Sequence, residues 1–237
     1  MKRINLVLLL IAALMGCANK TMQEIETETP PVITYPQDGL RYLALGDSYT
    51  IGESVPAAQS FPYQLATALN AQQLKVSTPT IIARTGWTTD ELITAIKDKA
   101  LTGNYDIVTL LIGVNNQYRG YNINTYRTEF IQLLNTALGY AGGNKKHVFV
   151  VSIPDWGVTP FANGRDRQQI AREIDQYNAI NKEETLKAGI SYTDITPGSR
   201  NALNDVSLVA GDGLHPSGKM YGEWVSKLLP GVVNGLK

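Results

Sequence analysis

The chain carries one cysteine in 237 residues, Cys17, and only two histidines, His147 and His215. A single cysteine cannot form an internal disulfide, so burial and hydrogen bonding must hold the fold. The sequence has no HExxH motif, no paired histidines at ligand spacing and no cysteine cluster, so no metal site is expected. It has neither a Walker A loop nor a GxGxxG turn to hold a nucleotide phosphate. Charge is sparse and balanced, with 21 basic against 21 acidic side chains and no basic stripe. That removes the electrostatic footprint of a nucleic-acid binder. The apolar run Leu6–Met15 is too short to cross a bilayer as a helix.

What is present begins with an address. Lys2 and Arg3 precede the short apolar run, as in an export signal, and the run ends in Leu14-Met15-Gly16-Cys17. Those four residues resemble the bacterial lipobox, with Met15 a less usual residue at its position. The resemblance implies removal of residues 1–16 and lipidation of Cys17. The chain would then be an exported, membrane-anchored bacterial lipoprotein facing the periplasm or the cell surface. A plain secretory signal with an incidental cysteine, or a buried thiol, are the simpler alternatives. Residues 17–40 carry Glu24, Glu26, Glu28, Pro30, Pro31 and Pro36 without hydrophobic periodicity and read as a flexible tether. One folded domain is expected over residues 41–237, a length that suits a sizeable core.

From Arg41 onward, short apolar runs alternate with helical patterns, the mark of successive βα units and a parallel sheet. The runs are Tyr42–Leu45, Thr80–Ala83, Ile107–Ile112, Val148–Ile153 and a weaker Ile190–Ile195. Their continuous hydrophobicity fits strands covered by helices on both faces. Between them, Ser60 can cap a helix with Pro62 in its first turn and Leu65 and Leu69 on one face. Thr88 and Glu91 have capping-box spacing. Tyr126, Phe130, Leu133, Leu134, Ala137 and Leu138 recur at helical intervals before Gly142-Gly143. Ile170, Ile174 and Tyr177 mark a fourth helix, and Tyr221, Trp224, Val225, Leu228 and Leu229 mark a last one. The expected fold class is therefore α/β, with five βα units.

In an open parallel sheet, ligands gather outside the carboxyl ends of the strands. Four turns should open there together: Gly46-Asp47-Ser48, Arg84-Thr85-Gly86-Trp87, Gly113-Val114-Asn115-Asn116 and Pro154-Asp155-Trp156-Gly157. Ser48, in a turn entering a helix, is placed to be a nucleophile. Gly86, through its backbone N–H, and Asn115, through its amide, can donate to an oxyanion. Near the C-terminus, Asp212-Gly213-Leu214-His215-Pro216 puts a carboxylate three residues before an imidazole. His215 would be the general base and Asp212 would orient it. Each residue alone has a plainer reading as a turn, a cap or a surface side chain. Their joint order at strand ends favours chemistry. His147 lies before the fourth strand, at the opposite end, and reads as a solvated strand-start residue.

These residues resemble the SGNH hydrolase superfamily, also called GDSL esterases and lipases. Gly46-Asp47-Ser48-Tyr49 matches its first block, Gly86 the second, Gly113-Val114-Asn115 the third and Asp212 to Pro216 the last, so that residues 41 to about 230 are covered. The resemblance implies a three-layer α/β/α sandwich with a five-stranded parallel sheet, an acyl-enzyme and no cofactor. It implies a triad of Ser48, Asp212 and His215, and an oxyanion hole of Ser48, Gly86 and Asn115. The third block commonly ends in Asp where this chain has Asn116, a change that bears on loop support or substrate choice. An α/β-hydrolase fits less well, because Thr50 stands where a nucleophile elbow needs glycine.

The substrate stays open at this level. Tyr49, Asn116 and Trp156 are candidate substrate contacts, the polar and aromatic stretch Asn116–Asn122 suits a sugar or a polar headgroup, and Trp156 with Phe161 could line a short acyl pocket. A lysophospholipase- or thioesterase-like acylhydrolase, a carbohydrate O-acetylesterase and a non-catalytic glycan-binding lipoprotein are the three readings. The expected partners are a small-molecule, glycan or lipid ester, and a membrane through the N-terminal lipid.

Overall fold

The computed structural model describes residues 34–237. The expected export signal, Cys17 and the expected tether up to residue 33 lie outside the described residues. Along the chain run β1 (Tyr42–Gly46), α1 (Ser48–Ile51), α2 (Phe61–Ala71), β2 (Thr80–Ala83), α3 (Thr89–Lys99), β3 (Ile107–Leu111) and α4 (Val114–Tyr118). There follow α5 (Ile123–Tyr140), β4 (Val148–Val151), α6 (Arg167–Lys187), β5 (Ser191–Thr193), α7 (Thr196–Ser199) and α8 (Gly218–Gly235). The five strands form one parallel sheet in the order β2-β1-β3-β4-β5. This is the α/β architecture with a five-stranded parallel sheet that the apolar runs and the family resemblance led us to expect.

Burial explains the strand composition. Every residue of β1, β3 and β4 is buried, because helices cover both faces: α2 pairs with α8, while α3, α5 and α6 pack in succession. No water-facing side exists on these strands, so none of them alternates polar with apolar. The edge strands β2 and β5 are mostly half-buried and carry the polar exceptions Thr80, Ser191 and Thr193. The helices bury the stripes that their spacing indicates. Leu65 and Leu69 are buried on α2, Tyr126, Phe130, Leu133 and Leu134 on α5, and Tyr221, Trp224 and Leu228 on α8.

Two expectations need correction. Ser60 stands at the cap position of α2, but its hydroxyl donates to the Ala57 carbonyl at 2.9 Å, because the chain enters through a 3₁₀ turn that needs its own closure. The folded domain also starts before residue 41. Leu40 bridges Val76 as a short parallel extension, and the Tyr35 hydroxyl meets Thr67 Oγ1 at 3.1 Å on α2. Two half-buried hydrophobic anchors, Tyr35 and Leu40, outweigh the tether-like composition around them. The capping box of α3 is present, with the Glu91 carboxylate accepting from the Thr88 N–H at 2.9 Å. Among the described residues no helix is long and apolar enough to cross a membrane.

The strand order reverses direction between β1 and β3. After β1 the chain steps outward to β2, then crosses back over to β3 on the far side of β1. The two crossovers diverge and leave a crevice above the carboxyl ends of these strands, where an open α/β sheet binds its ligand.

Candidate active site

Ser48 lies two residues beyond the end of β1, at the first position of α1, where the leading N–H groups of a helix have no intrahelical partners. The chain turns so sharply there that Gly46 admits no side chain: a Cβ would lie 2.3 Å from the Leu111 carbonyl and 2.1 Å from Thr50 Oγ1. Asp47 caps the turn, its Oδ1 accepting from the Tyr49 N–H at 3.0 Å. The carboxyl group is fully buried and its Oδ2 meets no partner. Burial, opposed in part by the Tyr49 hydrogen bond, pushes its pKa up to about 7.

The second turn places Gly86 three residues past β2 with φ +85, closed by the Trp87 N–H on the Arg84 carbonyl at 3.2 Å. A side chain would be strained in that conformation, and glycine lets the backbone approach a substrate oxygen. The third turn puts Asn115 in the first turn of α4. Its amide donates to the Trp87 carbonyl at 3.0 Å, which ties the second and third turns together and leaves the other amide hydrogen to donate elsewhere. After β4, Trp156 sits against α4, its indole donating to Gln117 Oε1 at 2.8 Å. Asp155 beside it turns inward, accepting from Gly157 N–H and pairing with Arg200 at 2.9 Å.

His215 and Asp212 arrive from a loop before α8. Nδ1 of His215 lies 2.5 Å from Asp212 Oδ2, which leaves Nε2 for the substrate side. Oδ1 of Asp212 accepts from the N–H groups of Leu214 and His215, each at 3.0 Å, and Ser54 donates to Oδ2 at 2.8 Å. Burial acts to raise the Asp212 pKa. The hydrogen bonds from His215, from the two backbone N–H groups and from Ser54 outweigh it and hold the carboxyl well below the usual range. The hydrogen bonds therefore favour Asp212 as the anion. The ring of Tyr49 meets that of His215 edge-on at 5.7 Å and braces it from behind.

These elements share one cavity of about 170 Å³, lined by Ser48, Tyr49, Gly86, Asn115, Trp156 and His215 among others. All four strand-end turns therefore contribute to one cavity, together with the base loop. Tyr49 and Trp156 take their expected places in its wall. Asn116 does not. It is fully buried away from the cavity, its side-chain oxygen accepting from the Thr89 N–H at 3.1 Å and its amide donating to Thr89 Oγ1 at 2.7 Å. Its role is to fasten α4 to the start of α3. Consecutive residues on a helix point in different directions, so only one of the two asparagines can face the cavity. Val114, Tyr118, Phe161 and Leu214 complete the apolar wall, and Ser54 was not indicated by any sequence motif.

A serine, an imidazole paired with a carboxylate, a glycine turn and an asparagine amide gather at one cavity, the groups that acyl transfer requires, and the protein is a serine ester hydrolase. Residues 44–222 match the GDSL-like lipase/acylhydrolase family, and the chain belongs to it. No curated protein sequence matches the chain. Among solved structures it resembles the psychrotrophic esterase EstA of Pseudoalteromonas sp., at 13% identity and a TM-score of 0.64 over 83% of this chain and 98% of that one. It resembles Axe2, an acetylxylan esterase of Geobacillus stearothermophilus, at 17% identity and a TM-score of 0.61, covering 84% and 94%. A lipolytic G-D-S-L protein of Veillonella parvula aligns at 17% identity and a TM-score of 0.62, covering 81% and 97%. At such identities the likeness is one of fold.

Proposed function

We propose that the protein hydrolyses carboxylic esters with short acyl groups through an acyl-enzyme on Ser48. The observation that carries this reading is the size and lining of the cavity beside Ser48 and His215. At about 170 Å³, walled by Val114, Trp156, Phe161 and Leu214, it is close to the dry cavity of about 150 Å³ that accommodates a benzene. An acyl group of up to about six carbons is matched to that volume.

Ser48 Oγ attacks the ester carbonyl while His215 Nε2 takes its proton, and the N–H groups of Ser48 and Gly86 with the Asn115 amide receive the oxyanion. The tetrahedral intermediate expels the alcohol, which leaves with the proton from His215. Water then attacks the acyl-Ser48 carbonyl, giving its proton to His215. Collapse releases the carboxylic acid and returns the proton to Ser48. Asp212 stabilises the imidazolium at both stages.

The test is a p-nitrophenyl ester series from acetate to palmitate. kcat/KM should peak at six carbons or fewer, and a maximum at twelve or more would overturn the short-acyl assignment. A carbohydrate O-acetylesterase is the form of this activity favoured by a second cavity. It lies behind Tyr118 and Trp156, measures about 320 Å³, and is lined by Gln117, Arg165, Asp166, Gln169 and Glu173. Arg165 lies over the rings of Tyr118, Trp156 and Phe161 at 5.2–5.3 Å. Such a polar basin suits a polyhydroxyl alcohol. Acetylated xylo-oligosaccharide against lysophospholipid as substrate decides between them.

We also propose that the chain is an exported lipoprotein anchored through Cys17, on the strength of Leu14-Met15-Gly16-Cys17. Mass spectrometry of the membrane-associated protein should find diacylglyceryl on Cys17. A mature chain beginning after residue 17 would sink the anchor.

A further inference from the structure

We infer that Ser54 is a positioning residue for the catalytic acid, holding Asp212 on His215 from the turn that carries the nucleophile. The inference rests on the triad assignment of Ser48, Asp212 and His215. Ser54 Oγ donates to Asp212 Oδ2 at 2.8 Å across 158 residues of sequence, and that oxygen is the one His215 Nδ1 meets at 2.5 Å. With two backbone N–H groups on Oδ1, the carboxylate is engaged on both oxygens, and the Ser54 bond is its only side-chain tie to the sheet half of the site among the described residues.

The backbone at Ser54 is informative. Its φ of 64 is left-handed, a conformation that glycine adopts freely and serine adopts at a cost. The chain nevertheless has a side chain there, and that side chain makes the bond to Asp212. The turn is itself bound to the nucleophile, since the N–H groups of Gly52 and Glu53 both donate to the Ser48 carbonyl at 3.1 Å. Its other side chain, Glu53, accepts from the hydroxyl of Thr85, the residue before Gly86. One turn thus reaches from the nucleophile to the acid on one side and to the oxyanion turn on the other.

Asp212 needs such a restraint. Its side chain is 30% exposed and sits in a loop, so without the serine it can rotate towards water and release the imidazole. The removed bond is a hydrogen bond to a charged group, partly screened by solvent. Its loss corresponds to about a tenfold fall in kcat.

The decisive pair of variants is Ser54→Ala and Ser54→Gly, assayed for kcat, KM and thermal midpoint. Both delete the hydroxyl, but glycine also relieves the left-handed backbone. Both should lose about tenfold in kcat with KM nearly unchanged, while Ser54→Gly melts at or above Ser54→Ala. Parental kcat in Ser54→Gly would overturn the inference, because the backbone alone would then have mattered. In an Asp212→Ala background, Ser54→Gly should cause no further loss, and a full additional tenfold loss would overturn it as well. Ser48→Ala separates the two levels. If it stays active, the triad assignment itself fails. If it is inactive while Ser54→Gly is parental, only the role of Ser54 fails.

Discussion

Ser48, Gly86 and Asn115 sit on turns that leave three neighbouring strands two, three and four residues past their ends, whereas Asp212 and His215 lie in a loop that follows no strand. Strand pairing determines the geometry of the first group. In the second, hydrogen bonds do so: Ala210 N–H to the His215 carbonyl at 2.7 Å, Phe161 N–H to the Gly213 carbonyl at 2.9 Å, and Ser54 to Asp212. Ser48, Gly86 and Asn115 are thus set by the core, while the loop of Asp212 and His215 is clamped onto it. A parallel sheet can present several backbone and side-chain donors in fixed register, but it cannot also bring a side chain in from above. A separate loop must do that, held by these polar contacts together with the packing of Leu214 on the core and of Tyr49 on His215.

The comparison can be broken most directly by removing one member from each half. Ser48→Ala and His215→Ala should each lower kcat by about 10³ to 10⁶, and the double variant should be no worse than either. Multiplying losses in steady-state kinetics would show that the halves do not act as a unit.

Within the sheet half, Asp47 makes stability depend on pH. Its pKa is raised from 3.8 to about 7, so the folded state holds a proton that the unfolded state releases between those values. Folding stability from this group is complete below about pH 4 and is lost as pH rises to 7, by about 4 kcal/mol in all. Asp47→Asn keeps the acceptor for Tyr49 and abolishes the titration. Urea unfolding at pH 4.5 and 8.5 should show the parent losing about 3 kcal/mol of stability relative to the variant, the remainder of the loss falling below pH 4.5.

Asn115→Ala removes one oxyanion donor and should cost about 10² to 10³ in kcat with little change in KM. A loss confined to KM would move Asn115 from the oxyanion to substrate binding. The smallest effect is expected at His147, in the turn entering the amino end of β4, away from the carboxyl ends that carry the site. His147→Ala should leave kcat unchanged and stability within about 0.5 kcal/mol.

How much was readable in the chain follows from which contacts are local. The strands announced themselves because helices on both faces demand unbroken apolar runs, and the α3 start because a capping box spans only Thr88 to Glu91. Asp212 and His215 were readable because their contact spans three residues. Ser54 was not, since its partner is 158 residues away and a serine two residues past a helix-ending glycine resembles any turn. Asn116 looks like a substrate contact in the sequence yet faces Thr89, because its direction depends on where α3 docks. Tyr35 reads as tether in the sequence, because its anchor, α2, is distant along the chain.

The sequence alone therefore determined the strand runs, the strand-end turns, the His–Asp pair and the chemistry these imply, all of which depend on neighbours within a few residues. Only the tertiary structure decided which side chains share the cavity, how small its apolar wall is, and what holds the acid in place. Those properties depend on distances between residues far apart in the chain, and packing sets such distances after local preference has done its part.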